Sequence, residues 1–136
     1  MTPPMDVTAE HRDYLQEHRF GVLSTGKKDG SPQASMVGCF FDGDNILVTF
    51  RRGSAKYHNI SRQPRVALSV PDGRRSLTVY GTGELLEEDP ARVDAFQAIL
   101  MSYGMPESPV ADLRTSMDDE QRVVLRLHPT SMDLHE

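Results

Sequence analysis

The chain has 136 residues, of which 38% are hydrophobic, and its formal net charge is -5. This length fits one domain with a modest core, and the apolar fraction is typical of a globular protein. The acidic balance argues against a protein that neutralises a nucleic-acid backbone, because such binding depends on clustered Lys and Arg. We therefore predict one domain over residues 1–136 and no nucleic-acid partner.

The cysteine and hydropathy patterns indicate a cytoplasmic protein. Cys39 is the only cysteine, so no disulfide can form within the chain, which suits a reducing compartment. No basic region followed by an apolar stretch opens the sequence, and no run approaches the roughly 20 apolar residues of a membrane span. The histidines are scattered without a ligand-like spacing, so we predict no metal site and no membrane partner.

The amino-terminal half reads as a helix followed by a meander of strands. Segment 1–18 is predicted to hold a helix that begins with Thr8 as its cap and ends at about His18. Stretches rich in β-branched and apolar residues then alternate with turn residues such as Asp29-Gly30. The predicted strands are Phe20–Thr25, Gln33–Phe41 and Ile46–Phe50.

The second half adds a short helix, further strands and a longer helix. Ser54 is a possible cap for a helix over 54–63, which Pro64 ends. Asp89-Pro90 is a good start for a helix over 89–103, whereas residues 104–120 lack periodicity and are predicted to be a loop or a loosely helical lid. The remaining strands are predicted at Val66–Val70, Leu77–Leu86 and 121–128.

These elements predict a mainly β fold with flanking helices, in which six antiparallel strands over residues 19–86 and 121–128 form a closed or nearly closed barrel. Strict alternation of strands with crossover helices is absent, and so is a glycine-rich first turn. A doubly wound dinucleotide-binding fold needs both.

The segment from Thr49 to Asn59 ends a strand and begins a helix, and it is the best candidate for a binding site. If Ser54 caps this helix, its hydroxyl, the free backbone N–H groups of Ala55 and Lys56 and the Lys56 ammonium converge, with Arg52 or Thr49 nearby. Such a point binds phosphate. A capped helix with a solvated basic face explains the same residues equally well from spacing alone.

Short motifs in a fixed order give the chain a family resemblance over roughly residues 8–128. They are Gly21-Val-Leu-Ser-Thr, Asp29-Gly-Ser-Pro-Gln, Asp44-Asn-Ile-Leu-Val-Thr, Ser54-Ala-Lys-Tyr-His-Asn-Ile, Gln63-Pro-Arg-Val-Ala-Leu-Ser-Val and Gly81-Thr-Gly-Glu-Leu. In this order they resemble the pyridoxamine 5'-phosphate oxidase-like split barrels, and most of all their small deazaflavin-dependent branch.

The resemblance implies a homodimer with a flavin-type cofactor in a groove at the interface. It places the cofactor phosphate at Ser54 and Lys56, and it places the tail of coenzyme F420 near Lys27, Lys28 and Arg52. The other cofactor-binding positions that it implies are Ser35, Met36, Val37, Thr49, Phe50, Ala55 and Asn59, with Tyr80 and Gly81 as weaker candidates.

The function that the resemblance implies is hydride transfer from reduced coenzyme F420 to a small organic acceptor. The cofactor performs this chemistry, so no catalytic side chain is predicted. The carboxyl end, Ser131 to Glu136, lacks the Arg-rich ending of the vitamin-processing oxidases, which argues against pyridoxamine phosphate as substrate. Two alternatives stay open: an FMN-dependent reductase or oxidase on the same fold, and a non-catalytic protein that binds or sequesters the cofactor.

Overall fold

The computed structural model describes residues 5–136, and this part of the chain contains four helices and seven strands. The first four residues, with which the predicted helical segment 1–18 and the domain 1–136 begin, lie outside the described residues. In chain order the elements are α1 (Ala9–Glu17), β1 (Phe20–Gly26), β2 (Pro32–Gly38), β3 (Phe40–Phe41), β4 (Ile46–Arg51), α2 (Ala55–Arg62), β5 (Arg65–Asp72), β6 (Arg75–Leu86), α3 (Ala91–Ser102), α4 (Val110–Asp119) and β7 (Arg122–His135).

The strands form one antiparallel sheet in the order β2-β1-β5-β6-β7-β4-β3. The two strands at its opposite edges, β2 and β3, are separated in the chain by Cys39 alone. Edges joined by one residue cannot lie far apart, so the sheet must curl until they meet. The result is a barrel that is split between β2 and β4, which are not neighbours in the hydrogen-bonded order.

The inner face of the curled sheet forms the main core. Alternate residues on each strand point inward because successive side chains leave a strand on opposite faces. Ile60 from α2 and Leu15 from α1 are buried in the same core. Its fully buried members on the strands include Leu23, Ile46, Leu68, Leu77, Val79, Val123, Leu125 and Leu127.

A second core lies outside the barrel, where α3 and α4 cover one part of the sheet. Val124 of β7 and Leu47 of β4 point outward and pack there, since their strand neighbours point inward. From the helices they meet Val93, Ile99, Leu113 and Met117. The helices leave uncovered the outer face of β1, β2, β5 and the first half of β6, where Phe20, Met36 and Tyr80 are exposed.

The fold class predicted from the sequence is confirmed, but the strand count is seven rather than six. The predicted strand Gln33–Phe41 is two strands, because the chain turns at Cys39 to cross from one edge of the sheet to the other. The N–H group of Cys39 donates to the carbonyl oxygen of Arg19 at 2.8 Å, and the Arg19 side chain donates to the carbonyl oxygen of Cys39 at 3.1 Å. Arg19 thus holds both backbone groups of this corner.

Two further boundaries differ from the prediction. The closing strand runs on past 128 to His135, and Pro129 lies at a β-bulge opposite Tyr80 and Gly81, where a missing N–H group is tolerated. Residues 104–120 contain a regular helix, α4, instead of a lid. Its buried Leu113 and Met117 are four residues apart and lie on one helical face.

A charged network joins α3 to α4. Arg92, which is 6% exposed, donates to Asp89 and to Asp118 at 3.0 Å and 2.8 Å, and Arg114 donates to Asp89 at 2.9 Å. Asp89 therefore binds two arginines instead of capping α3, which begins after Pro90. Hydrogen bonds from Arg92 lower the pKa of Asp89, with an added contribution from Arg114. None of the helices within residues 5–136 has the length and hydropathy to span a membrane.

The Asp89 network predicts an acid-dependent loss of stability. A carboxyl whose pKa is depressed in the folded state stabilises the protein above its unfolded pKa, about 3.9, and loses this contribution as the pH falls below it. We expect Asp89→Asn to lower the free energy of unfolding by about 1–2 kcal/mol at pH 7 and to flatten its decline between pH 5 and about 3. Urea unfolding at pH 7, 5 and about 3 measures the free energy of unfolding of the wild type and the variant. Asp94→Asn, at an exposed position of α3, is the control, and an equal effect from it would contradict the prediction.

Candidate functional site

A cavity of about 390 Å³ opens where the barrel is split. Residues 36–38 of β2 form one wall, and residues 49–51 of β4 form the other. Ser54 and Lys56 at the start of α2 and Arg122 at the start of β7 complete it. The cavity therefore takes its walls from the two strands that the curled sheet brings together without hydrogen bonding them.

The α2 end of this cavity has the features of an anion site. Ser54 caps the helix, and its hydroxyl oxygen accepts from the N–H group of Tyr57 at 3.3 Å. Within residues 5–136 the N–H groups of Ala55 and Lys56 have no backbone partner, as is usual in a first helical turn. The Lys56 ammonium lies 5.8 Å from the centre of the Phe50 ring. Two free donors, a hydroxyl and a cation thus border one space.

The electrostatics of the cavity contrast with the rest of the chain. Among the described residues that line it, Arg51, Lys56 and Arg122 are cations and none is an acid, although the chain carries 20 acids against 15 Lys and Arg. Arg51 lies directly opposite Arg122 across β4 and β7. Like charges in this position destabilise a sheet. Arg122 also pairs with Glu120 at 2.9 Å, which offsets part of this repulsion, and a bound anion would offset more of it.

Arg52 is in a neighbouring cavity of about 340 Å³, which shares Arg122 with the first. Arg52 pairs with Glu87 at 3.4 Å, and the Tyr57 hydroxyl donates to the same carboxylate. This hydrogen bond is the main reason why the pKa of Tyr57 is raised. Arg52 therefore faces a mixed-charge surface, in contrast to Lys56.

The structure brings only part of the predicted site together. Met36, Val37, Thr49, Phe50, Ser54 and Lys56 line the split cavity, with Ala55 between the last two. Ser35 lies on β2 opposite the buried Leu23, so its side chain is on the barrel side while Met36 faces outward. Asn59 is 7% exposed and donates to Thr25 and Gln33 at 3.1 Å, which gives it a structural role.

Tyr80 and Gly81 lie elsewhere, in a shallow groove of about 490 Å³ on the uncovered face of the sheet. A Cβ on Gly81 would lie 2.3 Å from the carbonyl oxygen of His128. Only glycine lets β7 approach this closely. Within one chain these two positions are therefore separate from the cavity of Ser54 and Lys56.

Sequence reasoning missed three residues that line the cavity: Gly38, Arg51 and Arg122. Arg51 could have been found from the sequence, because it directly follows the candidate residue Phe50 at the end of β4. Arg122 gave no local signal, because only the β4–β7 register places it there. Burial raises the pKa of the Cys39 thiol to about 11, so this cysteine is not a nucleophile at neutral pH. No cluster of metal-ligating side chains is found within residues 5–136.

The fold agrees with comparisons to known proteins. A family model described as pyridoxamine 5'-phosphate oxidase matches residues 7–136. The chain belongs to this family. The resemblance read from its sequence motifs is thereby confirmed.

Among solved structures, an F420 reductase is 28% identical over 93% of this chain and 98% of its own length, with a TM-score of 0.71. A conserved hypothetical protein from Mycobacterium tuberculosis is 23% identical over 100% of this chain and 88% of its own, with a TM-score of 0.81. The heme storage protein HutZ from Vibrio cholerae is 17% identical over 96% and 94%, with a TM-score of 0.73. The last two share the family fold with this chain.

The like-charge pair of Arg51 and Arg122 predicts that removal of one arginine stabilises the fold and weakens anion binding. Arg51→Gln should raise the free energy of unfolding by about 0.2–1 kcal/mol in low salt, because it removes a like-charge pair across two strands, and the gain should shrink in high salt. The same variant should bind pyrophosphate more weakly by calorimetry. Arg74→Gln, in the exposed turn before β6, is the control. A loss of stability in Arg51→Gln would show that the pair is not repulsive.

Proposed function

We propose that this protein is an oxidoreductase that uses reduced coenzyme F420 for hydride transfer to a small organic acceptor. The observation that carries the proposal is the split cavity, which places Lys56, Arg51 and Arg122 beside the free N–H groups at the start of α2. The F420 reductase among its structural relatives supports the same cofactor.

The number of cations favours the deazaflavin over FMN. One phosphate is accommodated by Ser54, Lys56 and the N–H groups of α2. The tail of F420 also carries carboxylates, which fit further cations. Arg51 borders the same cavity, as does Arg122, which also pairs with Glu120. Arg52, paired with Glu87, borders the next cavity along the surface. FMN has no second anionic group for these arginines to bind, and it remains the alternative cofactor.

The residues present fit such a cofactor, whose ring supplies the hydride chemistry when it is bound. Lys56 and Ser54 would fix its phosphate end. The backbone at Met36 and Val37 would lie along the ring, and Phe50 and Thr49 would form the opposite wall. The Thr49 hydroxyl donates to the carbonyl oxygen of Val123 at 2.9 Å, which holds this wall in place.

The direct test is a parallel titration of the purified protein with coenzyme F420, followed by its fluorescence, and with FMN. Lys56→Ala should weaken F420 binding by about 1.5–3 kcal/mol, the contribution of a charge-assisted hydrogen bond. Arg74→Ala, an exposed residue of the β5–β6 turn, is the matched control. Tighter binding of FMN would change the assigned cofactor from F420 to FMN. If neither cofactor binds, the split cavity is not a cofactor site. Tight F420 binding without turnover of any acceptor would favour a sequestering protein.

We also propose that the protein is a homodimer formed through the uncovered face of the sheet. Phe20 is 63% exposed, Met36 67% and Tyr80 44%. Val22 and Ala67 lie among them on the same face, as the β1–β2, β1–β5 and β5–β6 registers require. An apolar sheet face is normally covered, and a second copy would also enclose the split cavity more completely.

The dimer predicts that a charge in the middle of this face separates the subunits. Ala67→Glu should give a monomer in sedimentation velocity, because a buried carboxylate without a partner is strongly unfavourable at an interface. Ala91→Glu, at the exposed start of α3 on the other side of the barrel, should leave the mass unchanged. A wild-type protein that sediments as a monomer at all concentrations would refute the proposal.

A further inference from the structure

The cavity of about 340 Å³ beside the split cavity, here called the second cavity, is lined by acids as well as by arginines. Its residues are Arg52, Glu87, Arg92, Asp118, Gln121 and Arg122. Arg122 also lines the split cavity, so the two spaces meet at this side chain. A ligand that is bound at Lys56 and long enough to pass Arg122 would therefore enter the second cavity.

The fold holds one arginine of the second cavity firmly. Arg92 is 6% exposed, and every nitrogen of its guanidinium donates a hydrogen bond to a protein oxygen. The acceptors are Asp89, Asp118 and the carbonyl oxygen of Arg122. These contacts join α3, α4 and β7, so Arg92 has a structural role and is not free to bind a ligand.

Arg52, in contrast, is held loosely. Its guanidinium lies 3.4 Å from the Oε1 atom of Glu87, and its side chain is 52% exposed. Within residues 5–136 this is the one ionic partner of Arg52. An exposed ion pair contributes little stability, because water solvates both charges and two long side chains must be ordered. An anionic group of a ligand could therefore take the place of the Glu87 carboxylate.

Glu87 stays in its position independently of Arg52. The Tyr57 hydroxyl donates to the Oε1 atom of Glu87 at 2.5 Å, and this is the atom that faces Arg52. Tyr57 directly follows Lys56, and its own N–H group donates to the Ser54 hydroxyl at 3.3 Å. A carboxylate is thus attached to the first turn of α2. Its charge repels an anionic group that approaches Arg52.

We propose that Glu87 is a specificity-determining residue, which limits how many anionic groups of one ligand the protein binds. The first group is accommodated by Ser54, Lys56 and the N–H groups of α2. A second group binds Arg52 only if it displaces Glu87. The inference rests on the anion site of the proposed function, but it applies to any ligand with two anionic groups.

Glu87→Gln tests this role, because the glutamine oxygen still accepts from Tyr57 while the negative charge is removed. The probes are inorganic phosphate, with one anionic group, and pyrophosphate, with two. In low salt we expect the variant to bind pyrophosphate about threefold to fivefold more tightly, near the upper limit for an exposed ion pair. Phosphate affinity should change less than about twofold on the same scale, and high salt should reduce the gain. Calorimetry measures the dissociation constants.

The matched control is Glu88→Gln, which removes the same charge at the next position, where the side chain is exposed. It should leave the affinity for both probes unchanged, because Arg52 remains paired with Glu87. An equal gain from Glu88→Gln would show that net charge alone is responsible, and an equal gain for phosphate and pyrophosphate would show that the number of anionic groups is not. Either result would overturn the proposal. Urea unfolding verifies that each variant is folded.

A double-mutant cycle with Arg52→Gln separates competition for Arg52 from simple repulsion. If Glu87 acts by withholding Arg52, the gain from Glu87→Gln should disappear when Arg52 is replaced. An equal gain with and without Arg52 would leave repulsion as the sole effect and contradict the proposal.

The same probes separate this inference from the cofactor proposal. If the wild type binds pyrophosphate but neither F420 nor FMN, the proposed function fails, and the cycle still tests Glu87. If F420 binds but Glu87→Gln does not tighten pyrophosphate binding, the role of Glu87 is refuted and the cofactor assignment stands. If pyrophosphate binds to neither the wild type nor Glu87→Gln, the role of Glu87 is refuted together with the anion site.

Discussion

The structure depends on the corner at Cys39, where the chain leaves one edge of the sheet and enters the other. The carbonyl oxygen of Arg19 accepts a hydrogen bond from the N–H group of Cys39, and the Arg19 side chain donates to the Cys39 carbonyl oxygen. A residue that cannot join a strand ladder thus keeps both backbone groups hydrogen-bonded. Its guanidinium also lies over the rings of Phe40 and Tyr103. Arg19 thereby holds this corner of the barrel against the end of α3.

The same corner explains why the barrel is split and why a cavity lies there. Because β2 and β3 are at opposite edges of one sheet and one residue apart, β2 is brought beside β4 without a ladder between them. The free N–H and C=O groups of an uncovered strand edge can pair with a strand of another chain. The cofactor of the proposed function would cover this edge.

Local signals predicted much of the fold. The turn at Asp29-Gly30 and the helix cap at Ser54 depend only on residues adjacent in sequence. The structure has β1 and β2 on either side of the turn, and α2 after the cap. The break at Cys39 was not readable, because Val37, Cys39 and Phe41 are all buried and continue the alternation of a single strand. Ser54 and Lys56 are close in sequence, so their grouping was predictable. Arg122 reaches the cavity only through the β4–β7 register, which no local pattern encodes.

The two ends of the split cavity differ in a way that orients a ligand. At the α2 end, Lys56, Arg51 and Arg122 are unfavourable neighbours for an apolar group, since their desolvation would not be offset. At the β2 wall, the cavity is lined by Met36, Val37 and Gly38, none of which carries a charge. A cofactor with an anionic tail and a planar ring satisfies both ends in only one direction. In the proposed function its ring would lie along Met36, Val37 and Gly38, with Ser54 and Lys56 at its phosphate.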